Sequence, residues 1–237
     1  MYTYLILNIL SFFFPFILSF DKKVAFYKSW KALFPAIFII GAWFIIWDVY
    51  FTEWGVWEFN DAYITGIKFL GLPMEEWMFF FTVPYACVFI YACLNVYIKR
   101  DILEPYAKGI SYGILFLSII LTITHWDHLY TRVTFFSLTI LMLLNVFVIR
   151  GKYMGRYYLA YLVSLIPFLL VNGVLTAYPV VIYNDLENLG IRIGSIPADD
   201  TGYLMVLLVS IINIYEFLEN RSSKKEVVVR SVSQVGS

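Results

Sequence analysis

Charge is scarce in this chain. Asp, Glu, Lys and Arg make up 14% of its 237 residues and cancel to a formal net charge of zero. That leaves too few charges to coat an ordinary soluble exterior; the zero net charge by itself says nothing about nucleic acid, and no nucleic-acid partner is expected. Cysteine and histidine are nearly absent. Cys87 and Cys93 fall six residues apart in one apolar run, so neither a disulfide framework nor a thiolate metal site follows. His125 and His128 are the only histidines, in the run His-Trp-Asp-His. Two His and one Asp fall short of a closed metal site. With Trp126 and Tyr130 beside them they read as interfacial anchors, and no metal is expected. No Gly-x-Gly-x-x-Gly turn is present, since Gly190-Ile191-Arg192-Ile193-Gly194 has a different spacing. A self-contained dinucleotide-binding fold is therefore excluded.

What fills the chain instead is apolar and aromatic. Hydrophobic residues reach 61% and aromatics 20%. Crossing a bilayer takes about 20 mostly apolar residues. Seven runs qualify, near 2–19, 32–50, 76–97, 109–124, 133–149, 157–176 and 202–218, the fourth being the shortest. The first has no basic leader and no small-residue cleavage site, so it reads as a retained helix. Fourteen of the 17 Lys and Arg fall in the loops after the first, third and fifth runs and in the tail. Lys68, Arg132 and Arg192 alone occupy the alternate loops. Basic residues stay on the cytoplasmic side, so the amino terminus is expected outside, the carboxyl terminus in the cytoplasm, and segments 51–75 and 177–201 on the outer face.

The chain also repeats itself at an offset of 124 residues. Pro73-Met74-Glu75-Glu76 falls on Pro197-Ala198-Asp199-Asp200. Thr52, Val56, Asn60-Asp61, Gly66-Ile67 and Tyr91 fall on Thr176, Val180, Asn184-Asp185, Gly190-Ile191 and Tyr215, and Asp48 falls on Asn172. Turn formers and polar groups do not recur through apolar composition alone. The expected fold is an all-α polytopic membrane protein of seven transmembrane helices. Two parallel three-helix repeats, about 1–98 and 131–219, are joined by a linker helix at about 107–124. The membrane domain spans 1–219, and the polar tail 220–237 is expected to be disordered.

The repeated acids are the candidate chemistry. Pro73 suits a helix start, which places Glu75 and Glu76 in the first turn. Acids there complement the helix dipole. Two such pairs, each entering an apolar span, point further, to function. Adjacent, partly desolvated carboxylates cannot both ionise easily, which leaves a carboxylic acid able to donate a proton. Trp77, Phe79 and Tyr203 lie close by in sequence, and rings facing the acids can stabilise a cation. Asp48 and Asn172, near the outer ends of matched helices, are candidate proton-relay or orienting partners.

Pro-Met-Glu-Glu-Trp-Met-Phe-Phe and Ile-Pro-Ala-Asp-Asp-Thr-Gly-Tyr resemble the paired Pro-x-acid-acid motifs of the membrane-integral lycopene β-cyclases, the heterodimeric type and its fused relatives. The resemblance covers about residues 2–219. The second motif departs from it, with Asp199 where the family usually has Glu. The resemblance implies a non-redox, acid-catalysed closure of the ψ-ends of lycopene to β-ionone rings, through γ-carotene to β-carotene, as part of carotenoid biosynthesis. Glu75, Glu76, Asp199 and Asp200 would be catalytic, and Asp48, Asn172, Trp77, Phe79 and Tyr203 would bind substrate. The partners implied are a carotenoid and membrane lipid, with contact to other carotenoid enzymes left open. A reduced flavin or NAD(P)H acting as a non-redox helper is left open too, since the chain carries no binding motif for either. The alternative is a small-solute carrier of the SWEET type, which shares the three-plus-one-plus-three plan. Pro15, Pro35, Pro84 and Pro167 would be its hinges. Carriers bind at the midplane, however, and here the repeated polar residues lie near the outer face.

Overall fold

The computed structural model describes residues 2–235, with side chains described as far as Arg221. Seven helices dominate it: α1 (Thr3–Leu18), α2 (Trp30–Glu53), α3 (Met74–Tyr97), α4 (Glu104–Thr124), α5 (Leu129–Leu143), α6 (Met154–Ala177) and α7 (Asp199–Val235). A 3₁₀ turn at Phe26–Ser29 leads into α2, and a π-helical turn at Leu144–Ile149 extends α5. The fold is all-α and polytopic. Six of the helices are long and apolar enough to cross a membrane, and their outward surfaces carry large apolar side chains such as Phe38, Phe116 and Ile166. The exception is α1, not the fourth helix. Its 16 residues rise about 24 Å at 1.5 Å each, short of the ~30 Å hydrocarbon core. The polar segment from residue 220 continues the backbone of α7 to Val235, since neither Pro nor Gly interrupts it before Gly236. Its side chains beyond Arg221 lie outside the described residues.

Short strands connect the helices at one end. After α2 come β1 (Trp57–Phe59), β2 (Lys68–Phe69) and β3 (Leu72–Pro73). After α6 come β4 (Val181–Tyr183), β5 (Arg192–Ile193) and β6 (Ile196–Pro197). Each of these lies 124 residues beyond its counterpart. The all-α expectation had no place for them, because strands of two or three residues leave no periodic pattern. Strands β2–β3 and β5–β6 form antiparallel hairpins. Gly194 opens the second tip at φ 64°, where the first has Leu70 at φ 52°. The Lys68–Asp61 ion pair (2.6 Å) recurs as Arg192–Asp185. Asn188 donating to Asp185, together with the Arg192 pairing, holds the Asp185 carboxyl below its ordinary value.

The decisive contact is β1 with β4. They pair antiparallel with Glu58 opposite Ile182, Trp57 opposite Tyr183 and Phe59 opposite Val181. Glu58 and Ile182 are themselves counterparts in the repeat, so the ladder is self-complementary about that pair. Asn60 N–H donates to Val180 O, and Asn184 N–H donates to Val56 O, both at 2.9 Å. A patch that pairs with its own copy in this way marks a local two-fold axis. The helices obey it: α1 packs on α3 as α5 packs on α7, and α2 packs on α7 as α3 packs on α6. Helices α2 and α6 end at the same face of the bundle. Helix α4 packs on α5 and α6. Gly41 lets α2 approach α3 closely, since a side chain there would meet the Phe80 carbonyl at 3.3 Å.

Candidate functional site

Both acid pairs open their helices at the strand-bearing end. Pro73, with extended backbone, precedes α3, and Met74 N–H donates to Ile67 O as Ala198 N–H donates to Ile191 O, both at 2.8 Å. Neighbouring residues on a helix point about 100° apart, so the two acids of each motif part company. The first acid of each pair turns back to the preceding loop. Glu75 Oε1 accepts the Thr65 N–H (2.7 Å), and Asp199 Oδ2 accepts the Leu189 N–H (3.0 Å). Asp199 Oδ1 also accepts the Thr131 hydroxyl at 2.6 Å. Both are fully buried clamps between loop and helix.

The second acid of each pair turns inward. Glu76 and Asp200 line one cavity of about 50 Å³ between the two halves. Tyr4 O–H donates to Glu76 Oε2. Its counterpart Tyr130 donates to Asp200 Oδ1 at 2.7 Å. Asp200 Oδ2 accepts from Asn172 Nδ2 at 2.8 Å and from the Tyr183 hydroxyl at 3.0 Å. Desolvation and the neighbouring Asp200 charge raise the Tyr183 pKa, so that hydroxyl keeps its proton. Asp48 reaches the same cavity, fully buried. Among the described residues neither of its oxygens has a hydrogen-bond partner. Trp57 Nε1–H lies near it without reaching bonding geometry.

Aromatic rings make the remaining wall. Phe79, Phe80, Trp57, Tyr203, Phe59 and Phe168 all line the cavity. Trp57 stands edge-on to Tyr130 at 5.1 Å, and Phe44 meets Tyr203 edge-on at 4.9 Å behind the lining. Among the described residues no Lys or Arg lines the cavity. The chamber therefore combines carboxyl groups, hydroxyls and π faces away from water, a setting for moving protons around a transient cation.

A lycopene cyclase family model matches residues 1–94 and 127–218, more than half of the chain. The chain belongs to the lycopene cyclase family. No curated protein and no solved structure matches it. Membership makes it an enzyme of carotenoid cyclisation with a carotenoid substrate, and its apolar helices make it membrane-integral.

For a cyclase of this family, the structure gathers Glu76, Asp200, Asp48, Asn172, Phe79 and Tyr203 around one cavity. Glu75 and Asp199 stand behind it as loop clamps. Trp77 stays out as well, its indole N–H donating to Phe69 O at 3.3 Å. Sequence reasoning missed the hydroxyl donors Tyr4, Tyr130 and Tyr183 and the wall residues Trp57, Phe59, Phe80, Phe168 and Val181. Tyr130 lies in the cavity and not, as expected, at the membrane interface as an anchor, and Tyr4 and Tyr130 are counterparts. They lie 126 residues apart, not 124, because the first and fifth helices carry a two-residue shift in register. Reading the helices at that second offset would have paired Tyr4 with Tyr130 and Ser11 with Ser137.

Two apolar grooves flank the cavity. One, about 810 Å³, lies among α2, α5 and α7, and the other, about 490 Å³, among α6, α1 and α3. They are counterparts: Phe44, Phe136, Ser137 and Ser210 of the first match Phe168, Leu10, Ser11 and Ala86, of which Phe168, Leu10 and Ser11 line the second and Ala86 does too. Phe168 lines both its groove and the cavity.

Proposed function

We propose that this chain is a lycopene β-cyclase of the membrane-integral, naturally fused type, with one composite active site. The supporting observation is that Glu76 and Asp200, one from each half, share a single aromatic-walled cavity. Glu76 protonates the terminal alkene of a ψ-end. The tertiary cation is attacked by the neighbouring alkene, which forms the ring bond. A ring C–H then gives its proton to Asp200, leaving a β-ionone ring. One proton enters and one leaves, so no electrons are transferred, and a reduced flavin or nicotinamide is not required by the balance of the step. Phe79, Tyr203 and Trp57 offer π faces to the cation, and Asn172 orients Asp200. The polyene lies along the flanking grooves. Its end enters when Phe168 of the cavity wall, or Tyr203 with Phe44 behind it, swings aside, since about 50 Å³ holds only one or two waters at ~30 Å³ each.

In this reading residues 1–98 and 131–219 are two parallel copies joined by the helix at 107–124. The cavity lies toward the outer leaflet, and the basic loops and the carboxyl terminus face the cytoplasm. A reporter enzyme active only outside the membrane, fused after Arg221, stays silent if this orientation is right. Function is tested by expression in a lycopene-accumulating bacterium with pigment analysis. Formation of γ- or β-carotene is the expected result. Unchanged lycopene in cells holding inserted protein, with sugar uptake by the purified protein in liposomes, would favour the carrier instead.

A further inference from the structure

The two halves are not chemically equivalent around the cavity, and the differences fall on the partners of the two inward acids. Tyr183 donates to Asp200, while its counterpart Phe59 has no hydroxyl. Asn172 donates to Asp200, while its counterpart is Asp48, a group with no N–H to give. Among the described residues Asp200 thus accepts from Tyr130, Tyr183 and Asn172, whereas Glu76 accepts from Tyr4 alone. Three donors suit an ionised carboxylate.

The groups facing Asp48 and Glu76 come from every neighbouring element: Tyr4 of α1, Tyr130 of α5, Asn172 of α6, Asp200 and Tyr203 of α7, and Trp57 and Tyr183 of the strands. None is a cation. Asp48 and Glu76 line the same small cavity, both buried. A bare pair of buried carboxylates without a counter-ion is costly, and one proton between them removes both the repulsion and an unsolvated charge. Among the described residues the hydroxyl of Tyr203 has no hydrogen-bond partner, and Tyr203 lines the same cavity as Asp48, Glu76 and Asp200.

On the reading of this cavity as the cyclase site, we infer that Asp48 and Glu76 hold the catalytic proton jointly, with Asp48 as the reservoir that recharges Glu76 while Asp200 serves as the base. After ring closure Glu76 is ionised and Asp200 carries the proton taken from the ring. Its return to the Asp48–Glu76 pair, by way of the Tyr203 hydroxyl, completes the cycle with no proton gained or lost. Asp48 acts through Glu76 and is a positioning residue.

Infrared spectra of the purified protein in H₂O and D₂O read the protonated carboxyl C=O band directly, without substrate. Asp48→Asn supplies Glu76 with a donor and should remove a protonated-carboxyl band, while Asn172→Asp should add one. In Asp48→Asn the cyclisation rate should fall about 10²-fold, with its pH optimum displaced to lower pH, and Asp48→Glu should restore part of the rate. An unchanged band and an unchanged pH profile in Asp48→Asn overturn the inference. Glu76→Gln separates this failure from failure of the site itself. If Glu76→Gln abolishes turnover while Asp48→Asn behaves as wild type, only the reservoir role is lost. If Glu76→Gln is fully active, the cavity is not the site.

Discussion

Exchanging each motif acid for its amide should split the four residues into two classes. Glu76→Gln keeps an acceptor for the Tyr4 hydroxyl but has no proton to deliver. Asp200→Asn can turn its amide oxygen toward Asn172 and Tyr183 and its NH₂ toward Tyr130, whose hydroxyl rotates to accept. In Asp200→Asn the Tyr130 O–H and one amide N–H are left without a partner, so the cost in stability is about 1–3 kcal/mol. The rate, however, should drop ~10²–10⁴-fold in each, the usual contribution of a general acid or base. That corresponds to about 3–5 kcal/mol of barrier. Glu75→Gln and Asp199→Asn should lose stability to a similar extent but spare the rate. Their partners are the Thr65 and Leu189 amides and the Thr131 hydroxyl, and weakening charge-assisted bonds to neutral ones costs about 1–2 kcal/mol. For a chain of this size that lowers Tm by roughly 2–8 °C, with the rate per folded molecule reduced severalfold at most. The assay is initial lycopene consumption in liposomes, paired with thermal unfolding of the same preparations. A 10²-fold rate loss in Glu75→Gln at unchanged Tm, or Glu76→Gln within threefold of wild type, would refute the division of labour.

Phe79→Ala removes one ring from the cavity wall, and a lost cation–π contact of roughly 1–2 kcal/mol should slow cyclisation about 5–30-fold in the same liposome assay. Leu70→Gly should stabilise the first hairpin by about 1 kcal/mol, because Leu70 is exposed and sits at φ 52° where its counterpart is Gly194; a lower Tm in the variant contradicts this. Asp185 has a depressed folded-state pKa, so its contribution is present above the ordinary aspartate value near 3.9 and is lost as pH falls through the folded value. Hydrogen exchange of the β5–β6 amides should accordingly quicken only in acid, and an onset near neutral pH would exclude Asp185 as the cause.

The acids, the helices and the 124-residue offset were legible in the sequence because each leaves a local mark: Pro before paired acids, apolar runs of span length, turn residues in matched order. The division of Glu75 from Glu76 was less visible. Helical geometry requires that they diverge, but which one meets the cavity depends on the Thr65 backbone, ten residues earlier in the chain. Tyr4 and Tyr130 escaped because an ungapped comparison ends where the register shifts by two. Strands β1 and β4 escaped because pairing across 124 residues leaves no trace in three-residue segments. The run near 2–19 exceeds α1 by only Tyr2 and Ser19, so its apolar composition matched a span while its length lay at the lower limit for one.

The ladder centred on Glu58 and Ile182 carries one more consequence. A contact that joins a segment to its own copy is also how two separate, identical chains would meet. In such a pair every substitution is made twice, and a cavity on the axis can hold only matched residues. Joining the copies in one polypeptide lifts that constraint. Position 48 can then carry a carboxyl while position 172 carries an amide, and position 59 can lose the hydroxyl that position 183 keeps. An enzyme that must give a proton on one side of a ring and take one on the other gains by this freedom, because two roles that a symmetric assembly would have to share can settle on different residues.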